Sequence, residues 1–245
     1  MPFTFSHPAI VLPLTYLPRK WYSLTGLITG SVIPDFEYFI RMKVQSNYSH
    51  TIGGLFWFDL PLGVFFAFLF HDLVRNSLFE NLPTILKSRF ARFEHFDWNE
   101  YFESNWLIVT ISILIGAASH LLWDSFTHST GYFVNTFPEL RNTVNFIKIQ
   151  IPVYKFLQHL STLTGGLVVI LIIRKLRVDK RVKGKFNLKY WGVLIGLTFT
   201  VIILRLLSGL SYKQYASLIV SAISAALIAL ILTAQLIKGR DKKLL

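Results

Sequence analysis

The sequence contains no cysteine, and only 16% of its 245 residues are charged. The absence of cysteine excludes disulfides and thiolate metal ligands, so a metal site would have to use imidazole and carboxylate groups. Soluble chains usually carry about 25% charged residues. Hydrophobic residues make up 53% of this chain and occur in long runs. The composition therefore indicates a membrane protein.

Several familiar sequence signatures are also missing. Residues 1–7 include no basic segment, and no small-residue cleavage site follows them, so a cleaved signal peptide is not expected. We find no internal repeat, no P-loop, no dinucleotide-binding fingerprint and no Ser–His–Asp nucleophile arrangement. These absences give no support to a nucleotide-dependent enzyme or a serine hydrolase.

Five apolar stretches are long enough to cross a bilayer as helices, which takes about 20 residues. They are Gly53–Val74, Asn105–Asp124, Pro152–Ile173, Tyr190–Ser208 and Ala216–Ile237. Trp21–Ile40 is a marginal sixth span, and Met1–Leu17 is expected to be a re-entrant or interfacial segment, or half of a broken helix. The predicted fold is all-α, a polytopic transmembrane helix bundle with five to six spans in one integral membrane domain, residues 1–245.

The basic residues are concentrated beside these spans. Eight Lys or Arg lie between Arg174 and Lys189, and four more lie from Lys238 onward. Loops rich in Lys and Arg stay in the cytoplasm, so we expect a multi-pass protein of the cytoplasmic membrane with its C-terminus inside. Because the net charge of +12 is concentrated beside the spans, we interpret it as a determinant of membrane topology. Membrane lipid is therefore the expected partner, and nucleic acid is not.

This orientation gathers ionisable residues at one membrane face. At or near the outer face fall Asp35, His50, His120, Asp124 and His128. His7 joins them if the N-terminal segment enters from outside, although a histidine before Pro8 also fits a simple turn. Residues 1–135 are therefore the predicted metal-site half, and residues 136–245 supply C-terminal helices.

The sharpest local motif is His120-Leu-Leu-Trp-Asp124-Ser-Phe-Thr-His128. A spacing of four places residues on one helical face, about 5–6 Å apart at Cβ, so His120 and Asp124 can share one cation. His128 lies two turns from His120, so it would bind a second ion, or surround the first ion without binding it, better than it would share the ion of His120. The pair also fits a core histidine bonded to a helix neighbour, but ionisable groups within a span are costly and usually functional.

Two further segments supply candidate ligands. Pro34 ends or kinks a helix, which leaves Asp35 at a helix break. Asp35 is our first choice to bridge two ions if there are two, although Pro-Asp also commonly forms turns. Glu37 is a candidate ligand or simply a solvated charge. His50 lies near a helix N-terminus, where the dipole disfavours protonation and suits a neutral, metal-binding imidazole.

Two ionisable residues lie deeper in the predicted spans. Asp59 and His159 fall roughly 10 Å below the outer face, at a helix rise of about 1.5 Å per residue. They are candidate ligands, hydrogen-bond partners of ligating imidazoles, or partners of each other. We favour both residues as hydrogen-bond partners of ligating imidazoles. Glu37, His128 and His159 are the candidate general acids or bases.

These residues lie in motifs that resemble a known family. The motifs are Pro2-Phe3-Thr4-Phe5-Ser6-His7, Gly30-Ser31-Val32-Ile33-Pro34-Asp35, Ser49-His50, Phe58-Asp59-Leu60-Pro61-Leu62-Gly63 and Ser119-His120-Leu121-Leu122-Trp123-Asp124-Ser125. They resemble the bacterial DUF4184 family of membrane proteins. That family is similar to the wider YdjM-like (DUF457) group, described as membrane-bound metal-dependent hydrolases. The resemblance covers residues 1–135.

The resemblance implies a divalent metal, with zinc as the first candidate. The implied ligands are His7, Asp35, His50, His120 and Asp124. Two positions depart from the pattern of the wider group, since Glu37 replaces a second Asp and Gln45 stands where a His is expected. These departures imply fewer metal ions, or a site completed by His128 or His159.

Three hypotheses for function follow from these residues. The leading one is a metal-dependent hydrolase, a phosphoesterase acting at the outer leaflet on a lipid-linked substrate. The alternative is a transporter or lipid-handling protein whose intramembrane His and Asp bind a proton or cation. The third is a structural membrane protein in which the site only joins helices. All three require the histidines and aspartates to meet in the fold.

Overall fold

The computed structural model describes residues 3–146, 149–184, 186–211 and 213–241. Its architecture confirms the predicted all-α fold. Within the described residues the only strands are Thr143–Phe146 and Ile149–Pro152, which pair antiparallel with Thr143 opposite Pro152. This short hairpin was not predicted from the sequence.

The helices have the following bounds in chain order: α1 Pro8–Val11, α2 Leu24–Val32, α3 Phe36–Arg41, α4 Ile52–Gly54, α5 Leu60–Leu69, α6 Arg75–Asn81, α7 Thr84–Phe90, α8 Trp98–Thr127, α9 Tyr132–Thr136, α10 Val153–Lys175, α11 Leu188–Leu207 and α12 Tyr215–Asp241. The π-helical segments are Leu55–Asp59 and Phe70–Val74. The 3₁₀ segments are Thr4–Ser6, Leu12–Tyr16, Arg19–Trp21, Ile33–Asp35, Ala91–Phe93 and Pro138–Arg141.

Five helical stretches of the described chain are long and apolar enough to cross a membrane. They are Ile52–Asn81, Trp98–Thr136, Val153–Lys175, Leu188–Leu207 and Tyr215–Ile237. Each overlaps one of the five spans predicted from hydropathy, and the ends differ by a few residues up to about a dozen because polar ends continue the helix. The chain is therefore a multi-pass membrane protein.

The marginal sixth span, Trp21–Ile40, is not one continuous helix. Helix α2 ends at Val32, a 3₁₀ turn follows, and α3 starts at Phe36. Pro34 lies in this turn and has no amide hydrogen to donate, which explains the break. The turn leaves Asp35 fully buried.

The N-terminal segment forms short helical pieces, as expected of a broken helix. It is held against α10 through Thr162, whose hydroxyl oxygen accepts from the Phe3 amide at 3.0 Å and whose carbonyl accepts from the Ser6 hydroxyl at 3.0 Å. A Cβ placed on Gly165 would lie 2.8 Å from the Ser6 carbonyl oxygen, so this glycine permits the close approach. His7 follows directly and is buried.

The described chain forms two compact units. The first consists of Met1–Asp35, Tyr48–Val64 and Ser104–Lys175, and the second of Phe36–Asn47, Phe65–Glu103 and Leu176–Leu245. The assignment of residues 1–245 to a single integral membrane domain stays a prediction.

In the first unit, α2 and α8 touch through their backbones at two glycines. A Cβ on Gly30 would clash with the backbone of Ile113, and a Cβ on Gly116 would lie 2.5 Å from the Leu27 carbonyl oxygen. Small residues at such crossings let membrane helices approach closely. The contact brings the backbone carbonyl of Ser31 next to the α8 turn that carries His120.

In the second unit, side-chain hydrogen bonds fix the loop before α11. The side-chain oxygen of Asn187, Oδ1, accepts a hydrogen bond from the Tyr190 backbone amide at 3.1 Å and so caps α11. The side-chain nitrogen of Asn187, Nδ2, donates to Asn81 Oδ1 at 2.7 Å. Trp191 Nε1 donates to the Asn81 backbone carbonyl at 2.9 Å. The loop before α11 is therefore joined to the end of α6.

Candidate metal centre

Four of the predicted ligands come together within the first unit. They are Asp35, His50, His120 and Asp124, and one ligand atom of each lies within 4.8 Å of the others. We call them the four-residue group. His120 and Asp124 lie one turn apart on α8, Asp35 comes from the 3₁₀ turn after α2, and His50 from the loop before α4. Asp35 and His120 are fully buried, Asp124 is buried, and His50 is partly exposed.

Four nitrogen–oxygen distances within the four-residue group are close to those between the ligands of a tetrahedral ion site. His50 Nε2 lies 3.6 Å from both Asp35 Oδ1 and Asp124 Oδ2. His120 Nε2 lies 3.6 Å from Asp35 Oδ1 and 3.4 Å from Asp124 Oδ2. A hydrogen bond would be about 2.7–3.2 Å long. Tetrahedral ligands placed about 2.0–2.2 Å from zinc are separated by about 3.3–3.6 Å. The spacing therefore fits a shared cation better than direct hydrogen bonds.

The neighbouring helix fixes the tautomer of His120. Its Nδ1 lies 2.8 Å from the backbone carbonyl of Ser31, which can only accept a hydrogen bond, so Nδ1 carries the proton. In neutral imidazole the remaining nitrogen, Nε2, is then an acceptor, and it faces carboxylate oxygens that are also acceptors. Such an arrangement repels in a buried site unless a cation or protons lie between the groups.

Unpartnered buried atoms support the same conclusion. Among the described residues, His120 Nε2, Asp35 Oδ1 and both carboxylate oxygens of Asp124 are buried without a hydrogen-bond partner. Burying a carboxylate is costly unless it is paired or binds a metal. Two carboxylates carry the charge that one divalent cation neutralises. The four-residue group therefore fits a divalent metal ion in charge, donor type and spacing.

Asp124 also faces a second pair of histidines. Its Oδ1 lies 3.7 Å from His7 Nε2 and 3.5 Å from His128 Nδ1, whereas its Oδ2 faces the four-residue group. Asp35, the expected bridging carboxylate if there are two ions, belongs to the four-residue group, and its bridging role stays a prediction. Asp35 Oδ2 accepts a 2.5 Å hydrogen bond from the Thr4 hydroxyl. Asp124 is therefore the carboxylate whose two oxygens face two sets of imidazoles.

His7 lies beside the four-residue group. Its ring stacks on the ring of His120 with 3.8 Å between centroids and 13° between planes. Burial, together with the neighbouring His120, lowers the pKa of His7 to about 3. The imidazole is therefore neutral at physiological pH, which is the form that binds metals. Within the described chain neither ring nitrogen has a hydrogen-bond partner, so either can be the one donor atom that a neutral imidazole offers to a metal.

His128 has one ring nitrogen engaged and one available. Its Nδ1 lies 3.0 Å from the Asp124 backbone carbonyl and donates to it. Its Nε2 is buried and has no partner among the described residues. The lone pair of Nε2 can therefore accept a proton or a metal ion, as the predicted acid–base role requires.

Glu37 is engaged in local interactions outside the four-residue group. Its carboxylate pairs with Arg41 at 2.8 Å and accepts from the Ser46 hydroxyl at 3.1 Å and the Asn47 amide at 2.9 Å. These contacts hold the chain that follows α3. The catalytic role assigned to Glu37 stays a prediction, and its observed contacts are those of a structural residue.

The two deeper candidates are likewise outside the four-residue group. His159 is exposed on α10, and the neighbouring Gln158 is buried. Adjacent helical residues point about 100° apart, so His159 is turned away from the face that packs through Gln158 and Thr162. Asp59 is fully buried at the end of the π-helical segment Leu55–Asp59. The roles of both residues stay predictions.

A comparison with known families identifies the family to which this sequence belongs. The sequence model described as "Domain of unknown function (DUF4184)" matches residues 1–235. The chain belongs to the DUF4184 family. The match extends beyond residues 1–135, which carried the resemblance, and includes the C-terminal spans. No curated protein matches the chain, and no solved structure matches it either. The DUF4184 description assigns no activity, so function has to be argued from the site.

Sequence reasoning missed the groups that orient the ligands of this DUF4184 chain. The Thr4 hydroxyl bonds Asp35, the Ser31 carbonyl bonds His120, and the Ser49 hydroxyl lies 3.0 Å from His50 Nδ1. Such groups set ring orientation and raise ligand basicity. All three lie in the DUF4184-like motifs, which was the available signal. A backbone carbonyl has no residue-type signature, so its role was visible only in the fold.

Proposed function

We propose that this chain is a membrane-bound metal-dependent hydrolase, a phosphoesterase that acts on a lipid-linked substrate at the outer leaflet. The observation that carries the proposal is the buried four-residue group, whose nitrogen–oxygen distances are 3.4–3.6 Å. The resemblance of its motifs to membrane-bound metal-dependent hydrolases supports the choice of reaction class.

Zinc is the first candidate for the metal. The group offers two imidazoles and two carboxylates, which suit zinc in tetrahedral spacing. A divalent cation held there would act as a Lewis acid and lower the pKa of a coordinated water toward about 7. Catalytic zinc sites usually have three protein ligands and one water, so a water added to the four ligands here would make the ion five-coordinate. His50 has a 21% exposed side chain, which makes it the most accessible member of the group and the side from which water enters.

The remaining residues have roles that follow from their contacts. Thr4 holds Asp35, and Ser31 holds His120 in the tautomer that presents Nε2. His128 Nε2 is placed to accept or deliver a proton, because Nδ1 already donates to the Asp124 carbonyl. His7 can support a second ion on the other oxygen of Asp124.

The membrane setting supports a lipid-linked substrate. His120 and Asp124 lie on the span Trp98–Thr136, so a substrate must approach from the bilayer or its surface. Near the end of this span the apolar side chains of Leu122 and Tyr132 are 57% and 70% exposed. A phosphoester offers the anionic oxygens that a divalent ion binds. The assignment to the outer leaflet rests on the distribution of Lys and Arg.

The direct test is the metal content of the detergent-purified protein. We expect about one divalent ion per wild-type chain at a simple tetrahedral site, and near none in Asp124→Asn. Asp72→Asn is the matched control, because Asp72 is an exposed carboxylate on another span. Lipid phosphate monoesters and polyprenyl diphosphates would then be screened for phosphate release. A metal-free wild type, or equal hydrolysis by wild type and Asp124→Asn, would contradict the proposal.

One observation favours the alternative of a transporter or lipid-handling protein. The span Ile52–Asn81 contains two π-helical segments, and α8 has non-helical backbone angles at Asn105. Irregular helices of this kind form ion and substrate sites in transporters. In that case His and Asp would bind a proton or cation to drive movement. Metal-independent, pH-dependent flux in proteoliposomes would favour this function over hydrolysis.

A further inference from the structure

The second unit contains a cleft that the proposed hydrolase chemistry does not use. The cleft has a volume of about 1100 Å³ and lies between residues 88–95 and residues 177–182. Its two walls are joined where the Asp179 amide donates to the Ser88 carbonyl at 2.9 Å. Nearby, the Thr84 hydroxyl donates to the Gly184 carbonyl at 3.2 Å. We call this feature the basic cleft.

Cations dominate the lining of the basic cleft. The charged and titratable residues that line it are Arg92, Glu94, His95, Arg177, Asp179, Lys180 and Arg181. Asp179 is paired within its own loop, since Arg181 donates to its two oxygens at 3.2 and 3.1 Å. These hydrogen bonds lower the pKa of Asp179, so it stays ionised and compensates Arg181. Arg92, Arg177 and Lys180 outnumber the one remaining carboxylate, and the cleft is positive.

The chain connections place this cleft at the membrane surface. Residues 82–97 join the span Ile52–Asn81 to the span Trp98–Thr136. The other wall belongs to residues 176–187, which join Val153–Lys175 to Leu188–Leu207. Both walls are therefore tethered within a few residues to the ends of spans. Ile85 and Phe186 on these segments are 73% and 62% exposed, as apolar side chains at a bilayer boundary can be.

We propose that the basic cleft binds the phosphate headgroup of an anionic membrane lipid. Guanidinium groups bind phosphate oxygens through paired hydrogen bonds, and Arg92 and Arg177 come from opposite walls. Each Lys or Arg near an anionic membrane surface strengthens binding roughly fivefold. A lipid is favoured over a soluble phosphate because both walls adjoin the bilayer and apolar side chains flank them.

The test is a titration of the full-length, detergent-solubilised protein with phosphatidylglycerol or phosphatidylcholine, followed by native mass spectrometry. We expect the wild type to prefer phosphatidylglycerol by at least about tenfold. The variant R92Q/R177Q/K180Q should lose this preference. Its affinity for phosphatidylglycerol should fall by up to about 100-fold, because three charges are removed. R19Q/K20Q/K43Q is the matched control, because it removes three exposed cations elsewhere and should keep the preference.

Two outcomes would overturn the proposal. An equal loss in both triple variants would assign binding to overall charge rather than to the cleft. Displacement of bound phosphatidylglycerol by millimolar inorganic phosphate would assign the cleft to a soluble anion. Metal content should be unchanged in every variant, so this test is independent of the hydrolase proposal.

Discussion

Two buried histidine groups in this protein share a helical spacing of four and differ in how their polar atoms are satisfied. In the second unit, Arg75 donates to His71 Nδ1 at 3.0 Å and to the Phe96 carbonyl at 2.6 Å. Arginine has only donors, so it complements these acceptors. In the first unit, His120 Nε2 faces Asp124 Oδ2 at 3.4 Å, and in the neutral imidazole both atoms are acceptors.

A helical spacing of four therefore does not by itself identify a metal ligand. The His71–Arg75 group contains its own cation, which completes the hydrogen bonds, and it therefore fits a structural role. The four-residue group lacks such a donor and carries two buried carboxylates. What indicates a bound ion is a set of buried acceptors that face one another, together with separations close to those of tetrahedral ligands.

The largest expected effect is the loss of metal when His120 is replaced. His120→Ala should abolish stoichiometric metal, and His71→Ala should leave it unchanged, although both remove a buried imidazole from a helix. Chelation should lower the melting temperature of the wild type by several degrees, since a tightly bound ligand contributes about 4 kcal/mol at 1,000 times its Kd. Elemental mass spectrometry and thermal unfolding measure these effects. Equal metal loss in both variants would remove the distinction between the two groups.

A smaller effect, on stability alone, is expected when Arg75 is replaced. Arg75→Met leaves His71 and the Phe96 carbonyl without their donor, which should cost about 2–4 kcal/mol. The melting temperature should fall while metal per chain stays constant. Arg75→Lys keeps the charge with fewer donors and should show a smaller loss. If Arg75→Met released metal, the contrast between the groups would be wrong.

The smallest effect is expected at Thr4, which contacts Asp35 without touching the proposed ion. Thr4→Val removes the 2.5 Å hydrogen bond to Asp35 Oδ2 and keeps a similar side-chain volume. Loss of such a supporting contact typically lowers metal affinity about 10–100-fold. Competition with a chelator of known affinity measures this change, and Thr4→Ser is the control that keeps the hydroxyl. Identical affinities for Thr4→Val and wild type would limit Thr4 to packing.

Most of the fold could be predicted from the sequence, because transmembrane helices are encoded locally by apolar length. All five long spans and the break at Pro34 were predicted in this way. The hairpin formed by Thr143–Phe146 and Ile149–Pro152 was not predicted, because its strands have only four residues each and are mostly exposed. The interruption of the sixth span shows that a single proline can outweigh an apolar composition.

The candidate site was predictable in its residue types and less so in its geometry. Ionisable residues in an apolar chain are few, so Asp35, His120 and Asp124 stood out. Glu37 stood out equally, and only the fold revealed its contacts with Arg41 and the following loop. Residue type and spacing do not report which partner a carboxylate finds.

Composition and apolar length alone predict a multi-span helical membrane protein without thiol chemistry, with its His and Asp concentrated in residues 1–135. The tertiary structure decided which of these residues meet and which atoms face each other. The backbone approach of α2 and α8 at Gly30 and Gly116 brings the Ser31 carbonyl to His120. That contact joins residues 89 positions apart in the chain. Separations of this kind depend on how helices pack, which local sequence patterns do not specify.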